Sequence, residues 1–149
     1  KSMPARENML LASLQAGLAF SNASLGAVHA MAHSVGGYLD LAHGECNALL
    51  LEHVVRFNIE ASPERFRQVG EAMSLDMRGM TERERAKRIT TALSDMRRRV
   101  GIPDSLGARG VHVTDIPELT EHALGDACLV TNPRRANSAD IKSIYGEAL

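Results

Sequence analysis

Apolar positions recur every three or four residues along most of the chain, the period of an α-helix and not the alternation of a strand. Leu10, Leu11, Leu14 and Leu18 set that spacing across residues 4–20. The positions between them are largely Ala, Gly and Ser. Small side chains let helices approach closely, so this first helix is expected to be buried on more than one side. A second helix is predicted over residues 25–34, ended by Gly36-Gly37. A third runs from about residue 45 to residue 57, with Leu49, Leu50, Val54 and Phe57 on one face. Ser62-Pro63-Glu64 reads as a helix start, with serine as the cap and proline in the first helical position.

Thr81-Glu82-Arg83-Glu84 is a capping box. It opens a charged helix over residues 82–100, whose inward stripe is predicted as Ile89, Leu93 and Met96. Gly101-Ile102-Pro103 stops it. Asp115-Ile116-Pro117-Glu118 opens another helix, to about residue 127. Asn132-Pro133-Arg134 is a turn, and Ser138 is predicted to cap a last helix to residue 149. Residues 111–114 are the single weak strand candidate. The pattern therefore predicts an all-α multi-helix bundle.

Composition narrows the function. The 149 residues suit one domain, and a 44% hydrophobic content supports a core. Seventeen basic and eighteen acidic side chains leave a formal net charge of -1. No global charge argues for nucleic acid or a membrane surface. Aromatics are 3% and tryptophan is absent, so no platform for stacking bases exists. The apolar stretch at residues 9–14 is too short to span a bilayer, and no signal peptide is visible. Cys46 and Cys128 are far apart and form no CxxC pattern, which points to a reduced, cytoplasmic setting. The chain begins with Lys1, and its helical pattern starts almost at once. Both features are expected of a piece of a longer protein.

The candidate chemistry lies in HAMAHSVGGYLDLAHG, residues 29–44. His29 and His33 are four apart, so on a helix they share a face one turn apart. That spacing can present two imidazoles to one metal. In the HExxH metalloprotease motif a Glu follows the first His as general base, but here Ala30 takes that position. His43 follows the glycine pair and opens the next helix. An imidazole in an apolar helix is ordinarily a hydrogen-bonded core residue. Burying three is costly without a partner for each, and a metal is an economical partner. The spacing leaves both readings open. It also leaves a metal site incomplete, because Asp40 is the only carboxylate within the stretch.

Extended to residues 26–58, the stretch GAVHAMAHSVGGYLDLAHGECNALLLEHVVRFN resembles the signature of the iron-containing (group III) alcohol dehydrogenases. There a GxxHxxxH element and a glycine turn precede HGxxNAxxLPHVxxxN. The leading ARENMLLASLQAGLAFSNASLG, the later TNPR and the closing ADIKSIYGEAL also resemble that family's C-terminal region. Glu52 is a departure, since the family usually has Pro before that His.

The resemblance implies an N-terminal α/β domain that binds NAD or NADP, followed by an all-helical domain that holds Fe2+ or, in some members, Zn2+. This chain then corresponds to the later part of the helical domain. Of the family's one Asp and three His ligands, the last two His fall on His29 and His43. The Asp and first His belong to an upstream helix. His33 matches a histidine beside the metal for which a proton relay has been proposed. Phe20 matches an aromatic position near the nicotinamide. Cys128 falls, by its place before TNPR, near the substrate pocket wall. The implied reaction is Lewis-acid assisted hydride transfer between a small alcohol or aldehyde and nicotinamide. Imidazole ligands suit iron and zinc alike. A homo-oligomer is the implied assembly, and this chain alone is expected to be inactive.

Two alternatives stand beside that reading. One is a stand-alone helical module for metal binding or interaction, without catalysis. The other, within the family, is a glycerol, propanediol or hydroxy-acid dehydrogenase. Other features have plainer readings. Arg97-Arg98-Arg99 suits the negative end of a helix. His53 is read as structural, His112 and His122 as surface residues, Cys46 as packing, and the methionines as core filler.

Overall fold

The computed structural model describes residues 2–149. Its elements are α1 (Met3–Ala23), α2 (Ala27–Leu39), α3 (His43–Asn58), α4 (Pro63–Ala72), α5 (Glu82–Arg99), α6 (Ile116–Gly125) and α7 (Ser138–Ala148), joined by short 3-10 turns. No strand occurs among the described residues. The weak strand candidate is instead a buried Val111 leading into a 3-10 turn, Val113–Asp115.

Helices α2 and α3 form the centre. α2 packs against α3 and α6, α3 against α5 and α7, and α6 against α7. One apolar core holds Met31, Val35, Leu49, Leu50, Leu119, Ile141 and Tyr145 between these helices. A smaller one, around Val55, Ile59, Met77 and Ile89, joins α3 to α5 and the segment after α4. Polar groups buried with the main core find partners. The Tyr145 hydroxyl donates to the Met31 carbonyl at 2.9 Å, and Ser34 Oγ donates to the Leu119 carbonyl at 2.9 Å.

The glycine pair does not end α2. The helix runs on to Leu39 and closes on Asp40, which adopts the left-handed conformation at φ 53°. Aspartate tolerates that region because its short polar side chain bonds locally. Gly36 lies where the α2–α3 turn passes close by. A Cβ there would meet the Leu41 carbonyl oxygen at 3.5 Å and Cys46 Sγ at 3.7 Å, ordinary contact distances, so the turn does not demand a glycine.

Other expectations are corrected in detail. Asn137, not Ser138, caps α7, accepting from the Ala139 and Asp140 backbones. Met96 is exposed, and the inward stripe of α5 carries Ile89, Thr90, Ser94 and Arg97. Arg97 is therefore buried rather than solvated, donating to the Pro103 carbonyl at 2.6 Å. α1 has no buried residue, and its leucine stripe is exposed. The periodicity of α1 was legible, but no surface within residues 2–149 covers it.

The segment after α6 is fastened by one side chain. Asn132 Oδ1 accepts from the Ala27 backbone at 3.0 Å, at the start of α2, and from Asn58 Nδ2 at 2.9 Å, at the end of α3. Asn132 Nδ2 donates back to Asn58 Oδ1 at 2.8 Å and to the Arg134 carbonyl at 2.6 Å. Gly26 makes room, since a Cβ there would sit 2.9 Å from Asn132 Oδ1. Asn132→Ala leaves the buried Asn58 amide unpaired and α2 without its cap. It is expected to lower stability by about 2–3 kcal/mol, read from the urea unfolding midpoint. Gly26→Ala should act in the same direction by displacing the same amide.

Candidate metal centre

Two helices and a turn deliver the histidines. His29 and His33 lie one turn apart on α2. His43 is the first residue of α3, returned beside them by the tight turn at Asp40. The three rings form one cluster. The His29 and His33 centroids are 6.0 Å apart and nearly edge-on at 70°. His43 is closer to both, at 5.3 Å from His29 and 5.1 Å from His33, where the rings stack at 24°.

His29 is half-buried, and its basicity falls below the ordinary histidine value. Burial is the largest cause, then repulsion from His43 and His33, with Asp126 opposing. A neutral imidazole keeps a lone pair for a metal. The Asn47 side-chain amide lies one turn beyond His43, 2.9 Å from its Nε2, while Asn47 Oδ1 is buried with no partner. That unmatched oxygen marks a polar corner whose hydrogen bonding is unfinished. The donor set, two imidazoles brought into one cluster, is of the type that suits a borderline divalent ion such as Fe2+ or Zn2+. Two ligands do not complete such a site.

A second group adjoins the cluster. Ligand atoms of His33, Asp126 and Cys128 lie within 4.8 Å of one another. Asp126 follows α6 and caps the 3-10 turn Ala127–Thr131. Its Oδ1 accepts from the Cys128 backbone N–H at 2.7 Å, and its Oδ2 lies 2.7 Å from His33 Nδ1. Both oxygens are thus engaged within the protein, which makes this a hydrogen-bonded group and not an open metal site. Burial pushes the Cys128 thiol up, with Asp126 adding to it. The thiol is therefore protonated at neutral pH.

The structure thus brings together His29, His33, His43 and Cys128, all singled out in the sequence. Phe20 sits half-exposed near the end of α1, and among the described residues the ring contacts of the imidazoles are with one another. Cys46 is fully buried in the core beside Gly36. Sequence reasoning missed Asp126 and Asn47. Asn47 carried a signal, four residues after His43 on the same helix. Asp126 carried none, since 93 positions separate it from His33.

The family model for the Fe-containing alcohol dehydrogenase family, C-terminal region, matches residues 1–149. The chain belongs to the iron-containing alcohol dehydrogenase family. It is 43% identical over 147 residues to a 1,3-propanediol dehydrogenase of Klebsiella pneumoniae, covering 99% of this chain and 38% of that protein. It is 38% identical over 149 residues to an NAD-dependent methanol dehydrogenase of Bacillus methanolicus, covering all of this chain and 39% of the relative. Its fold superposes on the crystal structure of a 1,3-propanediol oxidoreductase with a TM-score of 0.97 at 42% identity, covering all of this chain and 39% of that one. The chain spans about two fifths of the length of the curated relatives it matches.

A metal-content measurement separates the imidazoles. In the full-length polypeptide loaded with iron, His29→Ala and His43→Ala are expected to lose bound metal, while His33→Ala retains it. Loss at His33 with retention at His43 would contradict the assignment.

Proposed function

We propose that this chain is the metal-holding helical part of an oxidoreductase that moves hydride between a small alcohol or aldehyde and a nicotinamide cofactor. The observation that supports it most is the single cluster of three imidazoles within a chain that matches the family model throughout. His29 and His43 are the residues that would hold the ion, completed by an Asp and a His from a preceding segment. When bound, the ion supplies Lewis-acid polarisation of a substrate oxygen.

The remaining roles fall to this chain's own side chains. His33 is exposed on one side and is engaged at Nδ1. It can exchange a proton with the substrate hydroxyl and with solvent. Cys128, protonated and beside Asp126, forms wall rather than nucleophile. A nicotinamide cofactor, when bound, would supply the hydride donor or acceptor; Phe20 on α1 would offer it one contact, and a preceding α/β domain would hold most of it. Iron with NAD is the pairing favoured by the family and by the methanol-oxidising relative. The same donors also accept zinc.

The test is an assay of the full-length, iron-loaded polypeptide with NAD+ or NADP+ and a panel of short alcohols, diols and hydroxy acids. Turnover of a short alcohol or diol is expected, and none is expected from residues 1–149 alone. No turnover by the loaded full-length protein on any panel member overturns the enzyme reading in favour of a non-catalytic module.

A further inference from the structure

His33 is half of a dyad that reaches across the fold. Its Nδ1 meets Asp126 Oδ2 at 2.7 Å, and that carboxylate is fixed from its other oxygen by the Cys128 N–H. The turn carrying Asp126 is itself tied down at its far end. Thr131 Oγ1 donates to the Leu25 carbonyl at 2.5 Å, and Asn132 holds the start of α2. Both partners are therefore anchored to α2, and their separation is set by the scaffold.

An ionised carboxylate only accepts hydrogen bonds. Burial pushes the Asp126 carboxyl up, but the bonds from His33 and Cys128 outweigh it and leave it below the usual carboxylate range. Facing such a group, a neutral imidazole must carry its proton on Nδ1. Nε2, on the far side of the ring, is then a lone pair.

We infer that Asp126 is a positioning residue for the reaction proposed above: it holds His33 in the Nδ1–H tautomer, so that Nε2 accepts the substrate hydroxyl proton. The inference rests on that reading of the site. In the step, the substrate O–H bond breaks and an Nε2–H bond forms. The imidazolium charge is neutralised by the Asp126 carboxylate. Because the His33 side chain is 41% exposed, the proton then leaves from Nε2 to water. The alternative, a second metal-ligand set of His33, Asp126 and Cys128, would require Asp126 to release donors it already holds at 2.7 Å.

Asp126→Asn is the informative variant. The asparagine oxygen keeps the bond to the Cys128 N–H, so the turn is preserved. Its amide then donates to His33 Nδ1 and forces the Nε2–H tautomer. The same exchange in a Ser-His-Asp triad costs about 10⁴-fold in kcat through the wrong tautomer. Here kcat is expected to fall by about 100-fold or more, with KM and iron content little changed. In a His33→Gln background the second substitution should add almost nothing, because Asp126 acts through His33. Nitrogen-15 histidine labelling of the metal-free full-length protein supplies a readout independent of turnover. His33 should show a protonated Nδ1 in the unaltered protein and a protonated Nε2 in Asp126→Asn. Additive losses in the double variant, or an Nε2–H tautomer in the unaltered protein, overturn the proposal. Absence of turnover in the unaltered, loaded protein fails the functional reading instead, and the tautomer measurement still decides this one.

Discussion

The reciprocal amide pair of Asn58 and Asn132 is the constraint on which the rest of the site depends. Four hydrogen bonds converge on two side chains, and they join the start of α2, the end of α3 and the turn before α7. Buried amides left unpaired are costly, so the pair is stable only when all three segments are in register. That register places the 3-10 turn beside α2. Without it, the turn bearing Asp126 and Cys128 would lose one of its two ties to the start of α2, leaving the Thr131 bond to the Leu25 carbonyl. A local hydrogen-bond lock at one end of α2 thus sets geometry two turns further along the same helix.

The other half of the site depends on close packing. Left-handed Asp40 turns the chain, and α3 returns to pack against α2. Tyr145 reaches through the core to the Met31 carbonyl, fixing α7 against the same stretch of α2. The segment bearing His29 and His33 is therefore packed between α3 and α6 and tied to α7 by the Tyr145 bond. Imidazoles borne on so constrained a helix have little freedom, as a metal or a proton path requires.

The class of fold and the histidine-bearing segment were legible because both are local. Helical periodicity, the Thr81 capping box and the proline starts each rest on residues within a turn or two of one another. What the sequence misjudged is long-range. The glycine pair looked like a helix end because glycine usually marks one. Here both glycines lie inside α2, and the helix stops at an aspartate instead. Arg97 looked solvated within an Arg triplet, yet the carbonyl of Pro103 claims it. α1 has the leucine stripe of a packed helix, and its period is real, but period alone does not say which surface will cover it. The family resemblance supplied the division among the histidines that spacing left open.

That division has a physical basis in the cluster. Sharing a helix face, His29 and His33 look like the natural pair for one ion. Yet an i, i+4 relation only guarantees neighbouring side chains, not convergent ones, and these two rings stand 6.0 Å apart and edge-on. His43, arriving from another helix, approaches both more closely. Asp126 then claims one nitrogen of His33. His29 has no such claimant, and burial beside two other imidazoles keeps it neutral. Of the two histidines on α2, one is thus bound to a carboxylate and suited to carrying a proton. The other retains a lone pair suited to a metal. On the proposed reading, the choice between them would be made by a residue 93 positions away along the chain and by the turn before His43, neither of which is contained in the HxxxH spacing.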